Sequence, residues 1–278
     1  VIVFGNTGSG KTTLCSVLSE KDVRVHSNEY GVSRLEYEGI GAGNESVTEM
    51  PTIIHDKSSN IAFIDTPGNR DTKGPLQDIK NAFATHFLLN ANNQELNAKI
   101  YIQFVMKCGE TDASRSQDVQ QFFNRFDEMF PNLTEIDKKA IGIVFTCADS
   151  RKKPLFYVSR LNCNANKSTN KWCQYFIAHP QQVFIMPEPL EEMNNQRYTF
   201  EDKNRLMHFI INSPLINHTP KLSLSSEPKL YLQKGFLSHI NDLLKETDNI
   251  YQTITDLYKQ ITDIKELNKW YINLRNIS

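Results

Sequence analysis

The first thirteen residues, Val1 to Thr13 (VIVFGNTGSGKTT), constrain the fold more than any other stretch of the chain. Val1 to Phe4 is a β-branched and aromatic run with the composition of a buried strand, and Gly5 breaks it. Gly5 to Thr12 fits G-x-x-x-x-G-K-[ST], and Lys11 to Glu20 (KTTLCSVLSE) continues as a helix. Strand, glycine-rich turn and helix in that order read as a phosphate-binding loop. Its glycines let backbone N–H groups face inward at a helix N-terminus, where an anion is favoured. In such a loop Lys11 reaches the β- and γ-phosphates and the Thr12 hydroxyl sits on Mg²⁺. Asn6, Thr7, Gly8, Ser9, Gly10, Lys11, Thr12 and Thr13 are the expected nucleotide-contacting residues.

Downstream, short apolar runs alternate with amphipathic ones. Asp22 to Ser27 reads as a short edge strand, and Asn28 to Glu49 as a long loop without sustained periodicity. A loop of that length within a domain is usually functional. Pro51 to Asp56 and Asn60 to Ile64 flank Lys57-Ser58-Ser59 as a hairpin. The second of these strands runs into Asp65-Thr66-Pro67-Gly68, where an aspartate at a strand end suits a second Mg²⁺ position and Gly68 a backbone contact to a γ-phosphate. Leu76 to Asn90 follows as a helix, Ile100 to Met106 as a strand and Ser114 to Phe130 as an amphipathic helix stopped by Pro131. The phenylalanine stripe of that helix reads as core packing. Ile141 to Phe145 is a strand ending in Thr146-Cys147-Ala148-Asp149, and Val183 to Met186 is the last strand. Arg151 to Pro180, polar and asparagine-rich, reads as an insertion or a helix with flanking loops, and Phe200 to Ile211 as a closing helix.

Strands alternating with helices imply an α/β fold of three layers with a mostly parallel sheet, and ligands then bind at the strands' carboxyl ends. This places residues 1–211 in one domain, residues 212–230 (rich in Pro and Ser) in a linker and residues 231–278 in a C-terminal helical segment. In that segment Ile240, Thr247, Ile254 and Ile261 recur every seven residues, with Leu243, Ile250, Leu257 and Ile264 in the alternate position. The pattern suits either a coiled coil or a long amphipathic helix folded back on the domain.

Composition narrows the functional classes. A net charge of −1 with 23% charged residues gives no global field for nucleic acid or an anionic membrane. No apolar run reaches membrane-spanning length. The five cysteines are odd in number, widely spaced and without a C-x-x-C pair, which points to neither a disulfide framework nor a zinc site but to a reducing, cytoplasmic setting. Because Val1 opens directly on a strand, the sequence reads as part of a longer chain.

The G-N-T-G-S-G-K-T-T-L run, the D-T-P-G after I-A-F-I and Ser46-Val47-Thr48 together resemble the translation-factor-type GTPases, and within them the septin and AIG-type (immunity-associated) group. The resemblance covers roughly residues 1 to 190 and implies binding of GTP and GDP with Mg²⁺. It also implies that Thr48, with Thr52 as a second candidate, closes on the metal and the γ-phosphate. The metal set is then Thr12, Thr48 and Asp65, and the catalytic set Lys11, Thr48 and Asn69. Thr146 to Asp149 stands where the family has N/T-K-x-D, with Asp149 accepting both N–H donors of the guanine edge. Cys147 departs from the lysine that the family packs along the base. Asn69 stands where small GTPases carry a water-orienting glutamine, so hydrolysis is expected to be slow. Arg70 reads either as an arginine finger or as a solvated loop residue. The competing readings are an ATP-binding P-loop NTPase on the same scaffold (an ATPase or nucleotide kinase) and a non-hydrolysing, nucleotide-bound scaffold that oligomerises through its C-terminal helix. The partner expected besides guanine nucleotide is a further copy of the chain, met through the G domain or that helix.

Overall fold

A computed structural model of the chain describes residues 1–28, 30, 33–36, 51–56, 59–68, 79–86, 100–111, 116–162, 166–214, 216, 221–222, 224 and 226–260. Six strands form one sheet: β1 (Ile2–Gly5), β4 (Thr52–Asp56), β5 (Ile61–Asp65), β6 (Ile102–Lys107), β7 (Ile141–Ala148) and β8 (Val183–Pro187). Their order is β4-β5-β1-β6-β7-β8, parallel throughout except for β4, which pairs antiparallel with β5 as the hairpin pattern implied. From β1 the chain builds outward on both sides, and such a reversal opens a crevice at the strands' carboxyl ends.

The central strands β1, β6 and β7 are buried along nearly their whole length, which is why they read as continuous apolar runs. Phe104 of β6 is the hub of one face. It meets α3 (Ser116–Met129) through Phe122, Phe123 and Phe126, and α6 (Lys167–Ala178) through Trp172 and Phe176. The closest of these pairs, Phe104–Phe126, is edge-on at 4.6 Å and 86°. The phenylalanine stripe is therefore core. On the other face α7 (Lys203–Asn212) sets Phe209 against Tyr101, with ring centroids 5.3 Å apart. Gly142 leaves the space there, since a Cβ on it would lie 2.7 Å from the buried Gln103 amide oxygen. Helices on both faces of one sheet give the α/β, three-layer architecture. Between β5 and β6, residues 79–86 are helical (α2), and the short helix α4 (Glu135–Lys138) leads into β7.

Two expectations change. Residues 33–36, placed within a long loop by sequence, form β3 (Ser33–Glu36), antiparallel to β2 (Arg24–Ser27) in a separate two-stranded ribbon rather than at an edge of the main sheet. The ribbon is held from far away in sequence. Val25 N–H donates to Gln196 O at 2.9 Å, Asn195 N–H to Val25 O at 2.7 Å and Tyr198 N–H to Val23 O at 2.7 Å. The segment 151–180, left unplaced by sequence, holds α5 (Pro154–Asn162), which opens on a proline, and α6, capped by the Asn166 side chain.

Contacts divide the chain into two units, Val1–Ser225 and Ser226–Ser278. The second contains the 35-residue helix α8 (Ser226–Gln260). Pro228 falls in its first turn, where a missing N–H costs no helical hydrogen bond. No helix among the described residues is long and apolar enough to cross a membrane.

Candidate functional site

The loop between β1 and α1 (Lys11–Leu18) adopts the geometry its glycines permit: Gly8 and Gly10 have φ of 76° and 91°, in the left-handed region. Gly10 is the N-cap of α1. No side chain caps the helix and no acidic residue occupies its first turn, so its dipole and leading N–H groups face an uncapped loop. The Lys11 ammonium folds back over that loop and donates to the carbonyls of Gly5 at 3.1 Å and Asn6 at 2.8 Å. Lys11 is buried, as is Ser9 behind it, whereas Gly8 is exposed at the loop's crest. Asn6, Thr7, Gly10, Thr12 and Thr13 are half-buried around it.

Two neighbouring strand ends are tied to this loop. From β5, Asp65 accepts a 2.6 Å hydrogen bond from the Thr12 hydroxyl onto Oδ2. Thr66 donates to Val3 O at 2.6 Å, fixing the turn against β1, and Gly68 then abuts Thr7. A Cβ on Gly68 would stand 2.5 Å from the Thr7 backbone nitrogen, so only glycine fits there. From β7, the Thr146 hydroxyl donates to Ser9 O at 2.6 Å, and its methyl group lies where a Cβ on Gly10 would meet it at 3.3 Å. Thr146 is thus a strut beneath the loop, its hydroxyl committed to the backbone.

Electrostatically the loop is a buried ion set. Asp65 and Lys11 are both buried, at 1% and 6% exposed, and the charges of both reach Cys15. Burial pushes the neighbouring Cys15 thiol well up, with the Asp65 charge adding to the effect, so Cys15 is an inert core residue. Thr12 and Asp65 are both oxygen donors, the chemistry Mg²⁺ selects, and Mg²⁺ is ordinarily held by one or two protein oxygens alongside phosphate and water. The described residues contain no group of three or more His, Cys, Asp or Glu able to hold a metal.

The other half of the site lies at the end of β7. This strand runs on through Thr146 to Ala148 instead of ending before the motif. It does so with an irregularity, because Cys147 has φ 52° and the pairing with β8 shifts register between Thr146 and Ala148. Burial raises the Cys147 thiol, so the position carries no charge. Asp149 follows on a fixed backbone: its N–H donates to the Tyr157 hydroxyl at 2.7 Å, and the Tyr157 ring stacks on Phe145 at 5.4 Å. The Asp149 carboxylate receives Arg151 on both oxygens, Nε to Oδ1 and Nη2 to Oδ2, each at 2.9 Å. These hydrogen bonds hold it well below the ordinary carboxylate range, at about 2. Tyr157 and Arg151 were missed by sequence reading. The signals for Tyr157 were Pro154, which opens a helix, and a spacing that puts an aromatic residue on that helix's first turn. Thr48, Asn69 and Arg70 lie outside the described residues.

Sheet order, left-handed glycines and the Thr12–Asp65 pair define a P-loop-type α/β fold. No protein-family model and no curated protein sequence matches the chain. Among solved structures it is similar to a chain of the signal recognition particle receptor SRb-GTP/SRX complex from Chaetomium thermophilum. The two are 12% identical over 75% of this chain and 88% of that one, with a TM-score of 0.31. Nothing in these comparisons singles out the septin or AIG-type group.

Proposed function

We propose that the chain binds guanine nucleotide with Mg²⁺ and hydrolyses GTP slowly to GDP and phosphate, acting as a switch or assembly GTPase. The observation that carries this reading is the 2.6 Å Thr12–Asp65 hydrogen bond, which joins the first turn of α1 to the end of β5. Thr12 and Asp65 would hold the metal, and Mg²⁺ when bound would neutralise charge on the β- and γ-phosphates. The loop N–H groups of Asn6 to Thr13 and the Lys11 ammonium would take the phosphate oxygens, and Gly68 would offer its N–H to the γ-phosphate. Thr48 and Asn69 keep the roles given by the family resemblance: closure over the metal and orientation of the attacking water. Asp149 would read the guanine edge. The septin and AIG-type likeness rests on the motif residues alone.

Calorimetric titration with GDP, a GTP analogue and ADP, each with and without Mg²⁺, tests the reading, alongside phosphate release. Guanine nucleotide should bind in preference to adenine nucleotide, more tightly with Mg²⁺, and Lys11→Ala should abolish phosphate release. Equal binding of adenine nucleotide, undisturbed by Asp149→Asn, would leave a P-loop protein without guanine preference.

A second reading, self-association through α8, is favoured by that helix's exposed apolar side chains. Phe236, Leu237, Leu243, Leu244 and Ile250 are all more than half exposed. Phe236, Leu243 and Ile250 share the d position, and Leu237 and Leu244 the e position, of the heptad register in which Ile240 and Thr247 stand at a. We propose that copies of this chain bury it together.

A further inference from the structure

In the proposed base site, the residue that contacts the Asp149 carboxylate belongs to the chain itself. The Arg151 guanidinium presents two parallel N–H donors, Nε and Nη2, to Oδ1 and Oδ2 at 2.9 Å each, and the Arg151 backbone N–H adds a third bond to Oδ1 at 3.0 Å. A planar fork with two adjacent donors is also what guanine offers on its N1–H and 2-amino edge, and what adenine lacks. One carboxylate cannot take both forks.

The two partners differ in how firmly they are held. Asp149 is fixed through its backbone by the buried Tyr157, and the chain turns tightly after it, with Lys152 N–H donating to Asp149 O at 3.0 Å. The Arg151 side chain is 87% exposed against 33% for Asp149, and its two side-chain hydrogen bonds run to that carboxylate. An arginine so placed can swing into water once its partner is taken.

We propose, resting on the guanine-nucleotide reading above, that Arg151 is a specificity-determining residue of the base site. Its guanidinium occupies the two Asp149 oxygens that a guanine edge needs, so guanine enters by exchanging its own donor pair for that of Arg151. A base that lacks the donor pair gains nothing from the exchange and leaves Arg151 in place. Cys147, neutral and short, offers no competing cation beside the base.

The test is equilibrium binding of fluorescent GDP, with unlabelled ADP as competitor, to the full chain and to Arg151→Ala, Arg151→Lys and Asp149→Asn. Arg151→Ala should tighten GDP about two- to fivefold, the measured worth of an exposed ion pair, and leave ADP unmoved. Arg151→Lys, which keeps the charge and loses the fork, should fall between. If Arg151→Ala leaves GDP unchanged or weaker while Asp149→Asn abolishes guanine preference, the exchange is overturned and the guanine reading stands. If the wild type and Asp149→Asn bind GDP and ADP alike, the guanine reading falls and the exchange falls with it.

Discussion

The Thr12 hydroxyl and the Asp65 carboxylate lie 53 positions apart in sequence and 2.6 Å apart in the fold. The bond is charge-assisted and part-buried, so each partner constrains the other. Asp65→Ala removes the acceptor and should cost about 1.5–3 kcal/mol in urea unfolding, the usual worth of a hydrogen bond to a charged group. Asp65→Asn keeps an acceptor and should retain most of that stability. It should nonetheless lose the Mg²⁺ enhancement of nucleotide binding. If Asp65→Asn binds with full Mg²⁺ dependence, Asp65 is a structural residue only.

Gly68 meets the Thr7 backbone with no room for a methyl group. Gly68→Ala should force the two segments apart at a cost of about 1–3 kcal/mol, the range for over-packing. Nucleotide binding should weaken more for a GTP analogue than for GDP, since the γ-phosphate contact is the one displaced. Equal weakening of both would assign Gly68 to packing alone.

The Asp149 carboxyl titrates at about 2 because Arg151 is bound to it. A depressed folded-state pKa means that the pairing contributes fully above the ordinary aspartate value of about 3.9 and is lost as pH falls from there through about 2. Carboxyl carbon NMR should therefore give an Asp149 midpoint near 2 in the wild type, with Arg151→Ala returning it toward the ordinary range. Between pH 5 and 8 the Asp149 acceptor should stay ionised, so no loss of GDP affinity in that window should trace to it. An unshifted midpoint in Arg151→Ala would mean another group holds the carboxylate down.

For α8, sedimentation equilibrium of the full chain at micromolar concentration should show self-association, as burial of that apolar face between copies requires. Leu243→Glu with Ile250→Glu places two charges on that face, where the residues are 54% and 61% exposed, and should return the chain to monomer without altering its melting. A monomeric wild type would remove the scaffold reading.

What could be read from sequence, and what could not, follows from the range of the forces involved. The glycine-rich loop between β1 and α1 was legible because its glycines, lysine and flanking strand and helix are contiguous. Asp65 was legible because an apolar strand leads straight into it. Phe122, Phe123 and Phe126 announced a core face by helical spacing. The β2–β3 ribbon was not legible, since Ser33–Glu36 contributes a single apolar residue, Leu35, and its support comes from Gln196 and Tyr198. Arg151 escaped for the opposite reason. It sits among lysines in a stretch that looks solvated, and only geometry shows that its two donors converge on one carboxylate. Thr146 was legible only as the first residue of the Thr146–Asp149 motif; that its hydroxyl faces Ser9 O emerges from the fold, because sequence names a side chain but not the partner it meets.

The contact between Thr7 and Gly68 has a mechanical meaning. Two segments packed this closely have no play between them, and close-packed interiors transmit strain instead of absorbing it. A displacement of the loop at Thr7 is passed undiminished to Gly68. From there it reaches Thr66, which is hydrogen-bonded to β1, with nothing compliant at the joint to damp it. Gly68 works here as a bearing surface, and the absent methyl group is what keeps it tight.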